Sequence, residues 1–326
     1  MQIVNLSITN LQGLFNLSDV ENEYGCTNGC TYLFEQFIDH PNWYCDGTPN
    51  LFPGGNWLGH VFPGTLFILW ASHWLLGFVR HYHEGLQQGL PYVSKAYYRV
   101  LWFPERWPME PIVKASLPAL NIMLELWLAH PGGYRELSCS VGTPRAGHFI
   151  GNHLNNWQHA YMYPGFIISG VVDLVSRKSE LPRGIPQAFL SLAFLFEALL
   201  MGLHKKHTQM DIMLHELLTA SMLLCALCTA AEAAWHELPL LTAGRIAGMY
   251  MQGAWFIAAA RIMYEDHPAW QTDQDSDMAP VASMPTLYLL LLMSIILGIL
   301  AALGLGTIPY AHVWKHKHGS TSHERM

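Results

Sequence analysis

The side chains best equipped for chemistry in this 326-residue sequence are histidines, and several sit at helical spacing from a carboxylate. Asp211 and His215 are four residues apart and Glu197 and His204 seven apart, separations that place both members of a pair on one face of a helix. His60 and His159 lie in the stretches GHVFPGTLF (59–67) and NNWQHAYMY (155–163). Neutral imidazoles converging with one or two carboxylates in a low-dielectric setting are a ligand set for zinc, iron or copper. The candidate metal ligands are therefore His60, His159, His204, His215, Asp211 and Glu197, with protonation of the same set as the alternative. The plain reading of any one of these histidines is a hydrated ring at a membrane interface. No stronger motif competes: His215-Glu216 lacks the later histidine of HExxH, and Cys225 and Cys228 stand on an apolar helix. A haem site wants histidines paired across helices, often at two depths, and below the outer set only His73 is offered near mid-depth.

What must position these residues is a set of membrane helices. The chain is 51% hydrophobic and 13% charged, against about a quarter charged in a typical soluble domain, so a bilayer has to supply the solvent for its surface. The mean hydropathy of +0.18 averages apolar spans with polar connectors and a polar N-terminal tail. Spanning takes roughly 20 apolar residues, since every backbone polar group must be satisfied within the helix. Seven stretches qualify: Val61–Val79, Pro111–Ala129, Trp157–Val175, Pro186–His204, Ile212–Ala234, Leu241–Met263 and Thr286–Tyr310, of which Pro111–Ala129 is the least clear because it holds Lys114, Pro118, Asn121 and Glu125. The expected fold is an all-α polytopic membrane bundle of about seven transmembrane helices. Residues 1–58 form an outer tail, 59–310 the bundle and 311–326 a basic, His-rich cytoplasmic tail.

Orientation follows from the basic residues, which concentrate in short cytoplasmic loops. Residues 1–60 contain no Lys or Arg; with the N-terminus outside, twelve fall on the inner side and four, Arg135, Arg145, Lys205 and Lys206, on the outer. That favours an odd number of crossings, N-terminus out and C-terminus in. The candidate ligands then share one outer-leaflet layer, joined by Glu125, His130 and His207, whereas Asp173, Glu232 and Arg245 lie toward the inner side. Arg245 and Gln252, seven apart, point to a structural ion pair with Asp173 or Glu232.

Cys26, Cys30, Cys45 and Cys139 all fall on the predicted outer side, where disulfides persist. Two bridges with three alternative pairings, a zinc site, or free thiols remain open. Asn5 and Asn16 begin glycosylation sequons on that side. The first twenty residues lack the basic start and unbroken apolar run of a cleavable signal, so the first spanning helix is expected to direct insertion. The net charge of -7, with scattered basic residues, excludes nucleic acid as a partner.

The segments GHVFPGTLF (59–67), NNWQHAYMYPGFIISGVVDLV (155–175), FEALLMGLHKKH (196–207), DIMLHELL (211–218) and MQGAWF (251–256) together resemble the transmembrane protein 45 family, in order through roughly residues 57–270. The resemblance implies a multi-pass protein of about seven helices in the Golgi, other endomembranes or the plasma membrane, and it implies no particular reaction. His60, His159, Asp173, Glu197, His204, Asp211, His215, Gln252 and Trp255 match recurrent polar and aromatic positions of that family. The Cys-bearing N-terminal tail and the extended second-to-third loop depart from its mammalian members. Three functions follow as expectations: a trafficking or scaffold protein whose cytoplasmic tail recruits protein partners, a metal-dependent membrane enzyme or sensor, and a proton- or metal-coupled transporter lined by Glu125, Glu197, Glu232 and Arg245. Against the transporter, the sequence has no inverted repeat and no matched pair of glycine-interrupted half-helices.

Overall fold

The computed structural model describes residues 42–50, 56–104, 106–128, 133–203, 208–270 and 278–319, with the side chains of 306–319 and a few isolated positions excepted. His130, His204, His207, Cys26, Cys30, Asn5 and Asn16 lie outside the described residues. The described chain is an all-α bundle of seven helices: α1 (Trp57–Gln88), α2 (Met109–Met123), α3 (Gly151–Ser176), α4 (Ile185–Leu203), α5 (Gln209–Ala234), α6 (Pro239–Met263) and α7 (Ala279–Gly319). Two short strands, β1 (Asn42–Trp43) and β2 (Pro49–Asn50), pair antiparallel ahead of α1.

Within the described residues, each of the seven apolar stretches read from the sequence falls in its own helix, including the least clear one, which forms α2 and continues as a π-helical turn over Leu124–Leu128. Local signals set several ends. The Asn56 side chain accepts from Gly59 N at 2.6 Å to start α1, and Gly89, at φ 64°, ends it in the left-handed region glycine favours. Thr208 caps α5, and α6 begins on Pro239, whose missing N–H costs a first turn nothing.

Four helices, α1, α4, α5 and α7, are long and apolar enough to cross a membrane. α2, α3 and α6 also bury charged or polar side chains, among them Lys114, Asp173 and Arg245. α6 packs against α1, α5 and α7 at the centre, with Arg245, Gln252 and Trp255 buried along its length. Its surroundings, not its own hydropathy, make it an interior helix. α7 is the reverse: Leu289, Leu290, Met293 and Leu297 are exposed, as lipid-facing residues would be.

Contacts between helix ends define the directions. The start of α1 meets the start of α5 and the end of α6, through His60 against His215 and Tyr264. At the opposite end the α1–α2 connection meets the start of α4 and the α5–α6 connection: Ser94 N donates to His236 O at 2.7 Å and Gln187 Nε2 to Ser94 O at 3.2 Å. That connection is a wedge. Ala96 and Tyr98 are buried, and the Tyr98 ring covers Gly77 so closely that a Cβ there would stand 2.3 Å from Tyr98 Cγ.

Cys45 and Cys139 form a disulfide, joining the segment before α1 to the α2–α3 connection. The same two segments also meet where Arg145 N donates to Cys45 O at 3.3 Å and the Arg145 guanidinium lies 5.7 Å from the centre of the Trp43 ring. Both ends of the α1–α2 pair therefore emerge on one side. In a background with Cys26 and Cys30 changed to Ser, the Cys45 thiol freed by Cys139→Ser is expected to be shielded from a membrane-impermeant maleimide in sealed microsomes of the endoplasmic reticulum and to react once detergent opens them. Labelling in the sealed vesicles would reverse the orientation.

Candidate functional site

At one end of the bundle, the end expected from the sequence to be outer, α1, α3, α5 and the π turn after α2 carry a layer of imidazoles and carboxylates. On α5, Asp211 and His215 meet as their spacing predicts, with His215 Nδ1 2.7 Å from Asp211 Oδ1 and 2.8 Å from the Asp211 carbonyl. On α1, His60 Nδ1 lies 3.0 Å from the Asn56 carbonyl. The His60 ring centre is 6.0 Å from that of His215, 5.9 Å from Phe256 and 4.5 Å from Tyr264, the last two belonging to α6 and its C-terminal end. His159 and Asp211 are both within electrostatic reach of His60. Four of the six residues read from the sequence, His60, His159, His215 and Asp211, are thus brought together.

The fourth helix contributing is α3, and its partner is the π-helical turn that follows α2. His159 Nδ1 stands 3.4 Å from Glu125 Oε1, while Asn156 Nδ2 donates to Glu125 Oε2 at 2.7 Å. Asn156 is held in turn by the Arg135 guanidinium, and the Arg135 carbonyl accepts from Trp157 Nε1 at 3.0 Å. A π turn inserts a residue into the helical register and frequently marks a functional site. Here it sets the direction in which Glu125 meets α3.

Glu197 stands apart from the histidines. It is buried on α4, accepts from Gln252 Nε2 of α6 at 2.7 Å, and its second carboxyl oxygen has no hydrogen-bond partner among the described residues. Gln252 therefore serves Glu197 and not Arg245. Among the described residues, no three His, Cys, Asp or Glu side chains stand close enough together to hold a metal ion as placed.

A second polar layer fills the opposite half of the bundle, expected to be the inner one, and every carboxylate described in it has a cation or several donors. Arg245 Nε donates to Glu232 Oε2 at 2.7 Å, and Thr242 also donates to Glu232. Arg245 further donates to the Lys95 carbonyl at 2.8 Å and lies 4.2 Å above the Trp74 ring. Lys114 pairs with Asp173, both fully buried. Glu110 accepts from Trp70 Nε1 at 3.0 Å, Trp74 Nε1 at 2.5 Å and Tyr98 N at 2.6 Å, with His73 Nε2 at 2.9 Å. Sequence reasoning missed Glu110 and left Lys114 unassigned; their four-residue separation on α2 was the available signal. Compensated charges of this kind tie together the helices that carry them.

Residues 183–303 match a family described as a family of unknown function (DUF716). The DUF716 match covers α4, α5, α6 and α7 as far as Leu303, and so includes Glu197, Asp211, His215, Arg245 and Gln252. His60, Glu125 and His159, which complete the outer layer, lie outside the matched segment.

Proposed function

We propose that this chain is a member of the transmembrane protein 45 family that crosses an endomembrane or the plasma membrane seven times, N-terminus out, and that its outer histidine layer binds a divalent transition metal. Support for the crossings comes from the alternating helix ends, the Cys45–Cys139 bridge and the absence of Lys and Arg from residues 1–60. Support for the metal comes from one observation: His60, His159 and His215 each have Nδ1 against an oxygen acceptor. Metal-ligating histidines almost always donate their second ring N–H to a carboxylate or carbonyl, which fixes the tautomer and leaves the lone pair on Nε2. Asp211 and Glu125 are then orienting acceptors, not ligands. Closure around an ion requires His159 to turn toward the His60–His215 pair.

Elemental analysis of the purified full-length chain tests this directly. Stoichiometric zinc, iron or copper is expected in the wild type, with retention lost in His215→Ala and weakened about 10–100-fold in Asp211→Asn, the usual effect of removing an orienting partner. Glu197→Gln is expected to leave the metal content unchanged. Metal-free wild type that takes up none of the three ions on titration would overturn the reading. The trafficking or scaffold role would then stand, to be tested by deleting residues 311–326.

A further inference from the structure

The α1–α2 connection does more than close the inner end of the bundle. Between it and α1 runs a groove of about 370 Å³ whose two ends differ in character. Along α1, Leu69 and Leu76 are 61% and 58% exposed, so this wall faces lipid. Arg80 continues the same stripe one turn beyond Leu76, and Lys95 and Arg99 face it from the connection. Among the described residues the groove is lined by three such cations and one carboxylate, Glu84, which pairs with Arg80 at 2.6 Å. Burial together with the nearby Arg80 charge holds the Lys95 ammonium below the ordinary lysine range, with Glu84 opposing.

Depth matches the character of each end. Arg80 lies 23 residues beyond Trp57, about 35 Å along the helix, which is the far interface of a bilayer entered at Trp57. Trp102, on the groove's rim, is 80% exposed, and Leu101, Phe103 and Trp107 beside it are exposed as well, the composition of an interfacial anchor. The connection is also held in place: Tyr98 N donates to Glu110, His73 Nε2 lies 3.3 Å from the Tyr98 carbonyl, and the Tyr98 ring sits on Gly77. The groove is preorganised, with its apolar wall at acyl-chain depth and its cations at headgroup depth.

We propose that this groove binds an anionic membrane phospholipid, its phosphate between Arg80, Lys95 and Arg99 and an acyl chain along Leu69 and Leu76. The proposal is independent of the metal reading. It predicts a preference for anionic over zwitterionic headgroups, set by charge at the interface, and a contact between the lipid and Trp102.

The test uses the full chain in nanodiscs of phosphatidylcholine containing a small share of dibrominated phosphatidylserine or, in a parallel set, dibrominated phosphatidylcholine. The chain has twelve tryptophans, so the signal is the quenching difference between wild type and Trp102→Phe. Stronger quenching by the anionic lipid is expected, and Arg99→Gln and Lys95→Gln should each weaken that preference about fivefold, the size expected for one basic residue at a membrane surface. Arg99→Lys should retain it. Should a variant fail to fold, the wild-type comparison of the two lipids still decides. Equal quenching by both lipids, or an unchanged preference in the Gln variants, would overturn the proposal. Loss of the preference on adding inorganic phosphate at constant ionic strength would overturn it too, by showing a site for the free ion.

Discussion

Glu232→Leu is expected to destabilise the bundle by about 3–5 kcal/mol, because it strands a buried guanidinium without its counter-charge. Arg245 is wholly buried, and an arginine does not escape the difficulty by losing its proton. Its remaining contacts, the Lys95 carbonyl and the Trp74 ring, satisfy one edge and one face but supply no negative charge. The Thr242 hydroxyl loses its acceptor in the same substitution, although the Tyr92 hydroxyl 2.7 Å away remains available. Replacing both members, Glu232→Leu with Arg245→Met, should recover most of the loss, since apolar isosteres of a buried pair are often nearly neutral. The exposed Arg80–Glu84 pair is the control: Glu84→Gln is expected to change stability by at most about 1 kcal/mol. Thermal unfolding of the four proteins in one detergent gives the comparison. A single Glu232→Leu variant that melts with the wild type would show that the Glu232–Arg245 pair carries no stability.

The contrast between those two ion pairs also explains which parts of the molecule could be read in advance. Helices were legible because a span needs a long apolar run, and α7 gives that signal from Tyr288 to Gly306 with only Ser294 to interrupt it. α2 was hard to read since Lys114 and Glu125 look like violations of a span until their partners Asp173 and His159 on another helix are known. The α1–α2 connection has no periodicity at all, and its burial comes from Tyr98 settling on Gly77, a contact between distant positions that neither residue type announces. Within the site, Asp211 and His215 were readable from a spacing of four on one helix. Glu125 and His159 were not paired in advance, because they sit on different elements and the π turn shifts the register on one of them. Arg245 had two candidate counter-charges, and Glu232 takes it while Asp173 goes to Lys114.

Gly253→Val is expected to separate α1 from α6 and to dismantle the outer layer with them. The two helices cross where Gly64 faces Gly253: a Cβ on Gly253 would lie 2.7 Å from the Gly64 carbonyl oxygen and 2.9 Å from Ile68 N, and one on Gly64 would lie 2.8 Å from the Gly253 carbonyl oxygen. These obstacles are backbone atoms, so no rotamer change relieves them and the helices themselves must move apart. Small residues at such crossings let helices in lipid approach closely enough for packing forces to hold them, where no hydrophobic driving force operates between them. Overpacking of this kind costs about 1–3 kcal/mol and occasionally more, and a β-branched side chain at a backbone crossing belongs at the upper end. The effect reaches the site because His60 is one turn from Gly64 and is packed on Phe256 and Tyr264 of α6. Gly253→Val should therefore lose both thermal stability and metal retention, while Gly298→Ala, which meets nothing within 4 Å, should lose neither. Unchanged stability in Gly253→Val would show that α1 and α6 are not held at this crossing. Reduced stability with full metal retention would separate the outer layer from the α1–α6 interface and place the ligands on α3 and α5 alone.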